Sequence, residues 1–476
     1  MLLLLIVCIS LCACSPIQYT AAVVEYAPIA PKLQLYSRED ASELMIRNLD
    51  NYDKITSEAK TRGAQIILFP EDGLYTPILS SRDFQLPFLE RISEPGSNPC
   101  TEVQNFDSKI SQRVSCMARI HQIILVVNMG EVVYCSKITD SKCPDDGRYQ
   151  YNTLVAFDMD GSILQKYHKS HLYYERQFDA GDGEPKTFKS WFGVEFGLMI
   201  CFDIQFQSPS RFILKKGTTD FLFSSWWVNM PPINYAVQNF QGFSYEHNIN
   251  LLASNSGFTG RNSGSGIFSS GKILTSFYNP TKGPVTTLLI SNVTTNPKQD
   301  LTSDKLFLEN VKRVEHNPPM TSFSAFVPTS NSVHNFIQIA GDFKCEISCV
   351  IDRAGDGEVY ASFASSGFGL KIFPQNICGV YKCGDDVKSC ERILHNLIDV
   401  YPTVPRTTFK DISIMLSGDV QNSSVFPIVS GPLGSIYIDD LKTSAEWNKD
   451  GTKYHLNVKG REDKPIHAAV LFNVWK

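Results

Sequence analysis

The sequence predicts an α/β domain followed by a second, β-rich unit, on three observations. Apolar runs of strand length alternate with segments of helical period from about residue 18 to 290, the pattern of a layered α/β domain. Residues 294–322 are polar and broken by Asn-Pro and Asn-Pro-Pro, as a linker is. Residues 323–476 hold short alternating runs, among them Ser435-Ile436-Tyr437-Ile438 and His467 to Val474, with cysteines clustered between them. That is the signature of short strands stapled by disulfides.

The elements follow in order. Residues 18–27 read as a first strand. Leu44, Met45, Leu49, Tyr52, Ile55 and Ala59 give residues 38–61 a helical period; Ser37 with Asp40 resembles a capping box, and Gly63 closes the helix. The run Ile66-Ile67-Leu68-Phe69-Pro70 is a strand ending at Glu71. Val103, Phe106, Ile110, Val114, Met117 and Ile120 predict a second helix over 101–121, and Ile123 to Asn128 a strand continuing to Tyr134. Two strand-like runs between Asn152 and Tyr167 flank Met159-Asp160-Gly161, a hairpin signal. Strands are expected over Trp191 to Cys201, Phe221 to Trp227 and Asn250 to Ser254, with helices over Ser208 to Lys216 and 233–249. Gly257 to Gly266 is a Gly- and Ser-rich loop. The domain expectation is residues 1–15 as a signal peptide, 16–293 as the α/β domain, 294–322 as linker and 323–476 as the β-rich unit.

The net charge of −5 and the lack of a basic run argue against a nucleic-acid partner. Met1 to Cys14 carries no charge, is almost wholly apolar and is too short to span a bilayer, so it reads as a secretory leader. Asn292-Val-Thr294 and Asn422-Ser-Ser424 are glycosylation sequons that fit such a route. The apolar tail Ala468 to Val474 is shorter than a glycolipid-anchor signal requires. A secreted, extracellular product without a transmembrane helix is therefore expected. Of thirteen cysteines, ten lie beyond the leader. In an oxidising compartment most are expected to pair, with Cys135, Cys143, Cys345, Cys349, Cys378, Cys383 and Cys390 the candidates. A zinc site is the other use of such a cluster, but no histidine follows at finger spacing. If Cys201 stays free, nine remain, so a second unpaired thiol is required within one chain.

Three reactive side chains stand where buried strands are expected to end: Glu71 after the apolar run Gln65 to Pro70, Lys169 after Ile163 to His168, and Cys201 after Gly197-Leu198-Met199-Ile200. A cysteine becomes nucleophilic only with a base or a positive environment. A buried Glu71 can supply the base, and Lys169 can hold an oxyanion together with the Phe202 backbone N–H. Singly, each has a plainer reading: a core cysteine, a solvated glutamate, an exposed turn. His168 and His171 admit a Cys–His reading, which requires a histidine oriented by a polar partner. Trp226, Trp227 and Asn229 follow a strand expected beside that of Cys201 and are candidates for lining a pocket, although one tryptophan is expected to face the core.

Taken together, Phe69-Pro70-Glu71, Tyr167-His168-Lys169-x-x-Leu172-x-x-Glu175 and Ile200-Cys201-Phe202-Asp203 resemble the nitrilase superfamily and its Glu-Lys-Cys triad. Cys201-Phe202-Asp203-Ile204, Leu251-Leu252-Ala253-Ser254-Asn255, Gly264-Ser265-Gly266-Ile267 and Asn376-Ile377-Cys378 with Cys383 and Cys390 are similar to the vanin and biotinidase branch. The resemblance implies a four-layer αββα sandwich followed by a smaller β-rich, disulfide-containing base domain. It assigns Glu71 as general base and acid, Lys169 as oxyanion stabiliser, Cys201 as nucleophile and Glu175 as supporting carboxylate. It also implies a small-molecule amide substrate and no metal or organic cofactor. The run Ser256 to Asn262 is shorter than the family's usual stretch, and the tail departs from its glycolipid-anchored members.

The expected chemistry is hydrolysis of a linear, non-peptide amide through a cysteine thioester. The resemblance implies pantetheine, giving pantothenate and cysteamine, or else a biotin amide. An acyl-transferase would use the same triad with an amine in place of water. A catalytically silent secreted binding protein of the same fold is the alternative of another class, against which the intact triad argues.

Overall fold

The structure is a computed structural model. It describes residues 16–75, 81–102, 108–229, 235–259, 261–279, 283–295, 320–366, 375–383, 386–390, 405–418, 424–430, 442–448, 453–460 and 466–474. The expected leader, Asn422 and most of the expected linker lie outside these residues.

The first twelve strands form two six-stranded sheets. One sheet holds β1 (Gln18–Glu25), β2 (Ile66–Leu68), β3 (Ile124–Tyr134), β4 (Arg148–Phe157), β5 (Ile163–His168) and β12 (Thr287–Thr294). Its order is β12-β1-β2-β3-β4-β5, with β1, β2 and β3 parallel. The other holds β6 (Thr187–Lys189), β7 (Glu195–Ile200), β8 (Asp220–Ser225), β9 (Asn250–Asn255), β10 (Ser265–Ser269) and β11 (Lys272–Phe277). Its order is β11-β10-β9-β8-β7-β6, with β7, β8 and β9 parallel.

Alternation along the strands shows how the layers stack. Ala21, Val23, Ile66, Leu68, Ile124 and Val126 join a core with Leu198, Phe221, Leu222 and Leu251 of the other sheet. Their neighbours Ala22, Val24, Ile67, Leu125 and Val127 join a separate core with Leu49, Tyr52, Val114 and Met117. These last belong to helices α1 (Arg38–Thr61) and α3 (Lys109–His121), with the short α2 (Arg82–Gln85) between them in sequence. A strand buried on both faces reads as a continuous apolar run, which is why Ile66-Ile67-Leu68 shows no alternation. Helices α4 (Ser210–Lys215) and α5 (Ala236–Glu246) accompany the second sheet. The order helix, sheet, sheet, helix is the expected four-layer αββα sandwich.

Local physics sets the ends of these elements. Ser37 accepts the Asp40 N–H and starts α1 at Arg38. The second helix begins at Lys109, not at 101 as periodicity suggested. Its first turn is capped from a distance: the Glu90 carboxylate accepts the N–H groups of Ile110 and Ser111 at 3.0 and 2.8 Å and pairs with Arg38. The expected strand over Trp191 to Cys201 is confined to Glu195–Ile200, and the one over Phe221 to Trp227 stops at Ser225.

The β-rich unit is two five-stranded antiparallel sheets. One has the order β13 (Met320–Phe326), β16 (Tyr360–Ser366), β17 (Gln375–Lys382), β22 (Ala468–Val474), β19 (Ser424–Ser430). The other runs β14 (Val333–Ala340), β15 (Phe343–Arg353), β18 (Thr408–Gly418), β21 (Lys453–Lys459), β20 (Lys442–Trp447). The Cys345–Cys378 disulfide joins β15 to β17 across the two sheets. Helix α5 packs against β19, and Tyr454 on β21 donates its hydroxyl to Glu246 at the end of α5, 2.7 Å away.

Four disulfides form: Cys100–Cys116, Cys135–Cys143, Cys345–Cys378 and Cys383–Cys390. Cys100 and Cys116 were not singled out in advance, and Cys349 corrects the expectation. It is a free, buried thiol on the inner face of β15. Cys345, four residues earlier on that face, takes Cys378, while Cys383 and Cys390 take each other. Cys349 therefore serves as a small core residue, and with Cys201 it makes the pair of free thiols that the odd count required.

Candidate active site

Parallel strands bring their carboxyl ends to one edge of the sandwich, where open α/β sheets place their ligands. Glu71 lies three residues beyond β2, Lys169 directly follows β5, and Cys201 directly follows β7. The structure thus gathers residues far apart in sequence. Lys169 Nζ is 2.6 Å from Glu71 Oε1 and 2.5 Å from Glu175 Oε2. Glu71 and Lys169 are each 2% exposed, which makes this a desolvated ion cluster.

An amide that sequence reasoning overlooked organises the cluster. Asn152 Nδ2 donates to Glu71 Oε1 and to Glu175 Oε1, both at 2.8 Å. Its own Oδ1 accepts Asn128 Nδ2 at 2.6 Å, and Asn128 Oδ1 accepts the Asp72 N–H at 2.9 Å. The Tyr173 N–H donates to Glu175 Oε2. A signal was available for Asn128, a polar residue directly after the apolar run Ile123 to Val127, since buried polar groups need partners; Asn152 stands among Gln150 and Thr153 and gives no such contrast.

Glu71 is held from both sides. Oε1 receives Lys169 and Asn152, and Oε2 receives the Trp226 N–H at 2.7 Å. That last bond exists because β8 ends at Ser225. Burial pushes the Glu71 carboxyl above its ordinary value and the charge of Glu175 adds to the rise, with Lys169 opposing. Lys169 is held well above its ordinary value: burial works against its charge, but the carboxylates of Glu175 and Glu71 outweigh it. Asp72, next in sequence, is also buried, and burial followed by the charges of Glu71 and Glu175 pushes its carboxyl well up.

Cys201 is 7% exposed and has a φ of +41°, a left-handed backbone unusual for a residue with a side chain. Asp203 stabilises this turn. Its Oδ2 accepts the Ile200 N–H and the Tyr167 hydroxyl at 3.1 and 2.8 Å, and its Oδ1 accepts the His171 N–H and Nδ1 at 3.0 and 2.9 Å. One fully buried carboxylate thereby ties the turn carrying Cys201 to the segment carrying Lys169. Burial and then the Glu71 charge push the Cys201 thiol well up, while Lys169 and the Ser225 hydroxyl pull it down.

The remaining candidates separate. Trp226 is partly buried, supplies its N–H to Glu71 and leans on Phe258. Trp227 and Asn229 do not join the cluster. The Trp227 indole packs on Phe240 in the core, and Asn229 gives its Nδ2 to Ser263 O and its Oδ1 to the first N–H of α5. Asn229 therefore holds the loop in shape instead of facing a pocket. Phe202 packs edge-on against Tyr173 and Phe206. His168 bonds Glu131 Oε2 at 2.8 Å and stacks on Tyr151, and His171 bonds Asp203 and stacks on Phe206. Both histidines have the polar partner a Cys–His site requires, but those partners are Glu131 and Asp203, and the largest influences on the Cys201 thiol are burial, Glu71 and Lys169. Asn292 is exposed on β12.

A buried carboxylate on β1 shapes the neighbouring loop. Glu25 accepts the Gly264 N–H and the Ser263 and Ser265 hydroxyls, and burial pushes it up to about 7. Gly264 is required there: its φ is +131°, and a Cβ would meet the Ala236 Cβ at 2.6 Å. No group of metal-ligating side chains is found among the described residues. No helix among them is long and apolar enough to cross a membrane.

Comparison with known proteins agrees with this architecture. Residues 20–241 match the carbon-nitrogen hydrolase family and residues 312–475 match the vanin C-terminal domain. The chain is 31% identical to a human pantetheine hydrolase over 96% of this chain and 88% of that protein. It is 33% identical to human pantetheinase over 77% of this chain and 74% of that protein. It is 39% identical to biotinidase of Takifugu rubripes over 50% of this chain, and spans about half the length of that relative, 48%. Among solved structures it is similar to an amidase from Nesterenkonia sp., at 20% identity and a TM-score of 0.42, over 60% of this chain and 93% of that one. With both family models matched in order, and with pantetheinase likeness running through both units, the chain belongs to the carbon-nitrogen hydrolase family, in the branch that carries a vanin C-terminal domain.

Proposed function

We propose that this protein is a secreted thiol amidase that hydrolyses pantetheine to pantothenate and cysteamine. The observation that carries the chemistry is the buried Glu71–Lys169–Glu175 cluster at the strand edge where Cys201 ends β7. Pantetheine is favoured because likeness to pantetheinases extends over both units, whereas likeness to biotinidases covers about half of the chain. The four disulfides fit an oxidising, extracellular setting.

Hydrogen bonding favours Glu71 Oε2 as the proton carrier. Oε1 of Glu71 has two donors, Lys169 and Asn152, so both its lone pairs are taken. Oε2 has one donor, the Trp226 N–H, and so keeps a lone pair for a proton. In this reading Oε2 takes the thiol proton of Cys201 as sulfur attacks the amide carbonyl. Lys169 has three N–H donors, two engaged by carboxylates. The third, with the Phe202 N–H, receives the oxyanion. As the C–N bond breaks, the proton on Glu71 passes to the leaving amine. A water then gives its proton to Glu71 and attacks the thioester, and that proton returns to the sulfur as the acid departs. Glu175, fixed by Lys169, Asn152 and the Tyr173 N–H, holds Lys169 in place.

The test is amine release by the purified protein with pantetheine and biocytin side by side, native against Cys201→Ala. Cysteamine from pantetheine, lost in the variant, supports the reading. Lysine from biocytin moves the substrate to biotin amides. Absence of both products, with Cys201 no more reactive than Cys349, returns the binding-protein alternative.

A further inference from the structure

We propose that Ser225 is a further catalytic residue of this site, its hydroxyl donating a hydrogen bond to the Cys201 sulfur as the thiolate forms; this rests on the reading of Cys201 as the nucleophile. Strands β7 and β8 run parallel with Ile200 opposite Ser224, so Cys201, the first residue past β7, comes next to the position of Ser225, the last of β8. Ser225 is fully buried, and its Oγ has no hydrogen-bond partner among the described residues, sulfur included. Buried hydroxyls are seldom left so, because an unmade bond there costs nearly as much as a broken one. Its neighbour Ser224, by contrast, donates to Phe69 O at 3.0 Å.

The group beside this unspent donor is the thiol. The Ser225 hydroxyl favours the ionised form of Cys201, as does Lys169, against burial and the charges of Glu71 and Glu175. A neutral thiol is a weak acceptor, and a thiolate is a strong one. The bond therefore forms as charge develops on sulfur, and an interaction stronger in the transition state than in the ground state accelerates the step. The proton of Cys201 still goes to Glu71; Ser225 keeps its own, and no bond to it breaks. Three consecutive residues at the end of β8 thus divide the work. Ser224 pins the sheet to the β2 strand end, the strand register sets Ser225 next to the turn that carries the nucleophile, and the Trp226 N–H orients the base.

The experiment is the rate of Cys201 alkylation by iodoacetamide in the full chain from pH 5 to 10, followed by peptide mapping. Native protein is compared with Ser225→Ala, and with the isosteric pair Ser225→Thr and Ser225→Val. Loss of a charge-assisted hydrogen bond raises the alkylation midpoint and slows the reaction at pH 7 about tenfold or more in the Ala and Val variants. The plateau at high pH stays unchanged, and Thr keeps the native profile. If Ser225→Ala does not fold, the Thr and Val pair carries the comparison, since the two differ only in the hydroxyl. Ala or Val variants that melt like the native protein and keep its alkylation profile overturn the role of Ser225. A native Cys201 that alkylates no faster than Cys349 overturns the nucleophile itself, and the proposal with it.

Discussion

Replacing Lys169 by Met removes an ammonium that touches two buried carboxylates, at 2.6 Å from Glu71 and 2.5 Å from Glu175. Breaking a buried pair in this way costs about 3–5 kcal/mol, because the remaining charges are left uncompensated. The protein can limit that loss by taking up a proton, since Asn152 already bridges the two carboxyl groups. Holding one glutamate protonated at pH 7, against an unfolded value of about 4.3, costs about 1.36 × 2.7, or about 3.7 kcal/mol. The sign follows from linkage. The folded value is raised above the unfolded one, so stability is intact below about pH 4.3 and falls by about 1.4 kcal/mol per pH unit above it, until the folded value is passed. The expected loss is about 1.6 kcal/mol at pH 5.5 and about 3.7 at pH 7, or about 3 and 6 °C in melting temperature for a domain of about 280 residues. Scanning calorimetry of native and Lys169→Met protein across that range is the assay, with kcat expected to fall about 10²–10³-fold. A melting difference independent of pH refutes the reasoning, because it would mean that the variant leaves no carboxylate charge buried.

Three further outcomes are expected. The activity of native protein should fall as pH drops through the Glu71 value, which burial holds above the ordinary glutamate range, so a pH–kcat/KM profile should show its acid limb higher than about 4.3. Cys349, whose thiol burial pushes up to about 12, should resist alkylation until the protein unfolds, as peptide mapping with and without denaturant would show. Removing Cys345–Cys378 should cost more than removing Cys135–Cys143, since the closed loops span 33 and 8 residues. Chain entropy gives about 3.7 against about 2.5 kcal/mol, measurable by urea denaturation of the paired Ser variants.

Much of the site was legible in the chain because its chemistry is written in residue type and strand-end position. Glu71, Lys169 and Cys201 each follow a segment that reads as a strand, so their position at strand ends is legible in the sequence. The four-layer arrangement needed more. Continuous runs such as Ile66-Ile67-Leu68 told that both faces are buried, but only the division of alternate residues between two cores shows against which layer each face packs. The start of the second helix was misread because its cap, Glu90, lies about twenty residues upstream and leaves no local signal.

What the sequence alone determined about this protein is the alternation of elements, the β-rich second half, the candidate reactive side chains and the parity of its cysteines, all properties of local pattern and composition. Tertiary structure decided which cysteine stays free, that Asn152 joins two carboxylates, that the Trp226 N–H rather than its indole serves Glu71, and that Asp203 ties the Cys201 turn to the segment carrying Lys169. The physical reason is common to all four. Hydrogen bonds and disulfides across tens to hundreds of residues depend on where separate strands end in space, and the strand pattern specifies that each end exists without specifying what lies beside it.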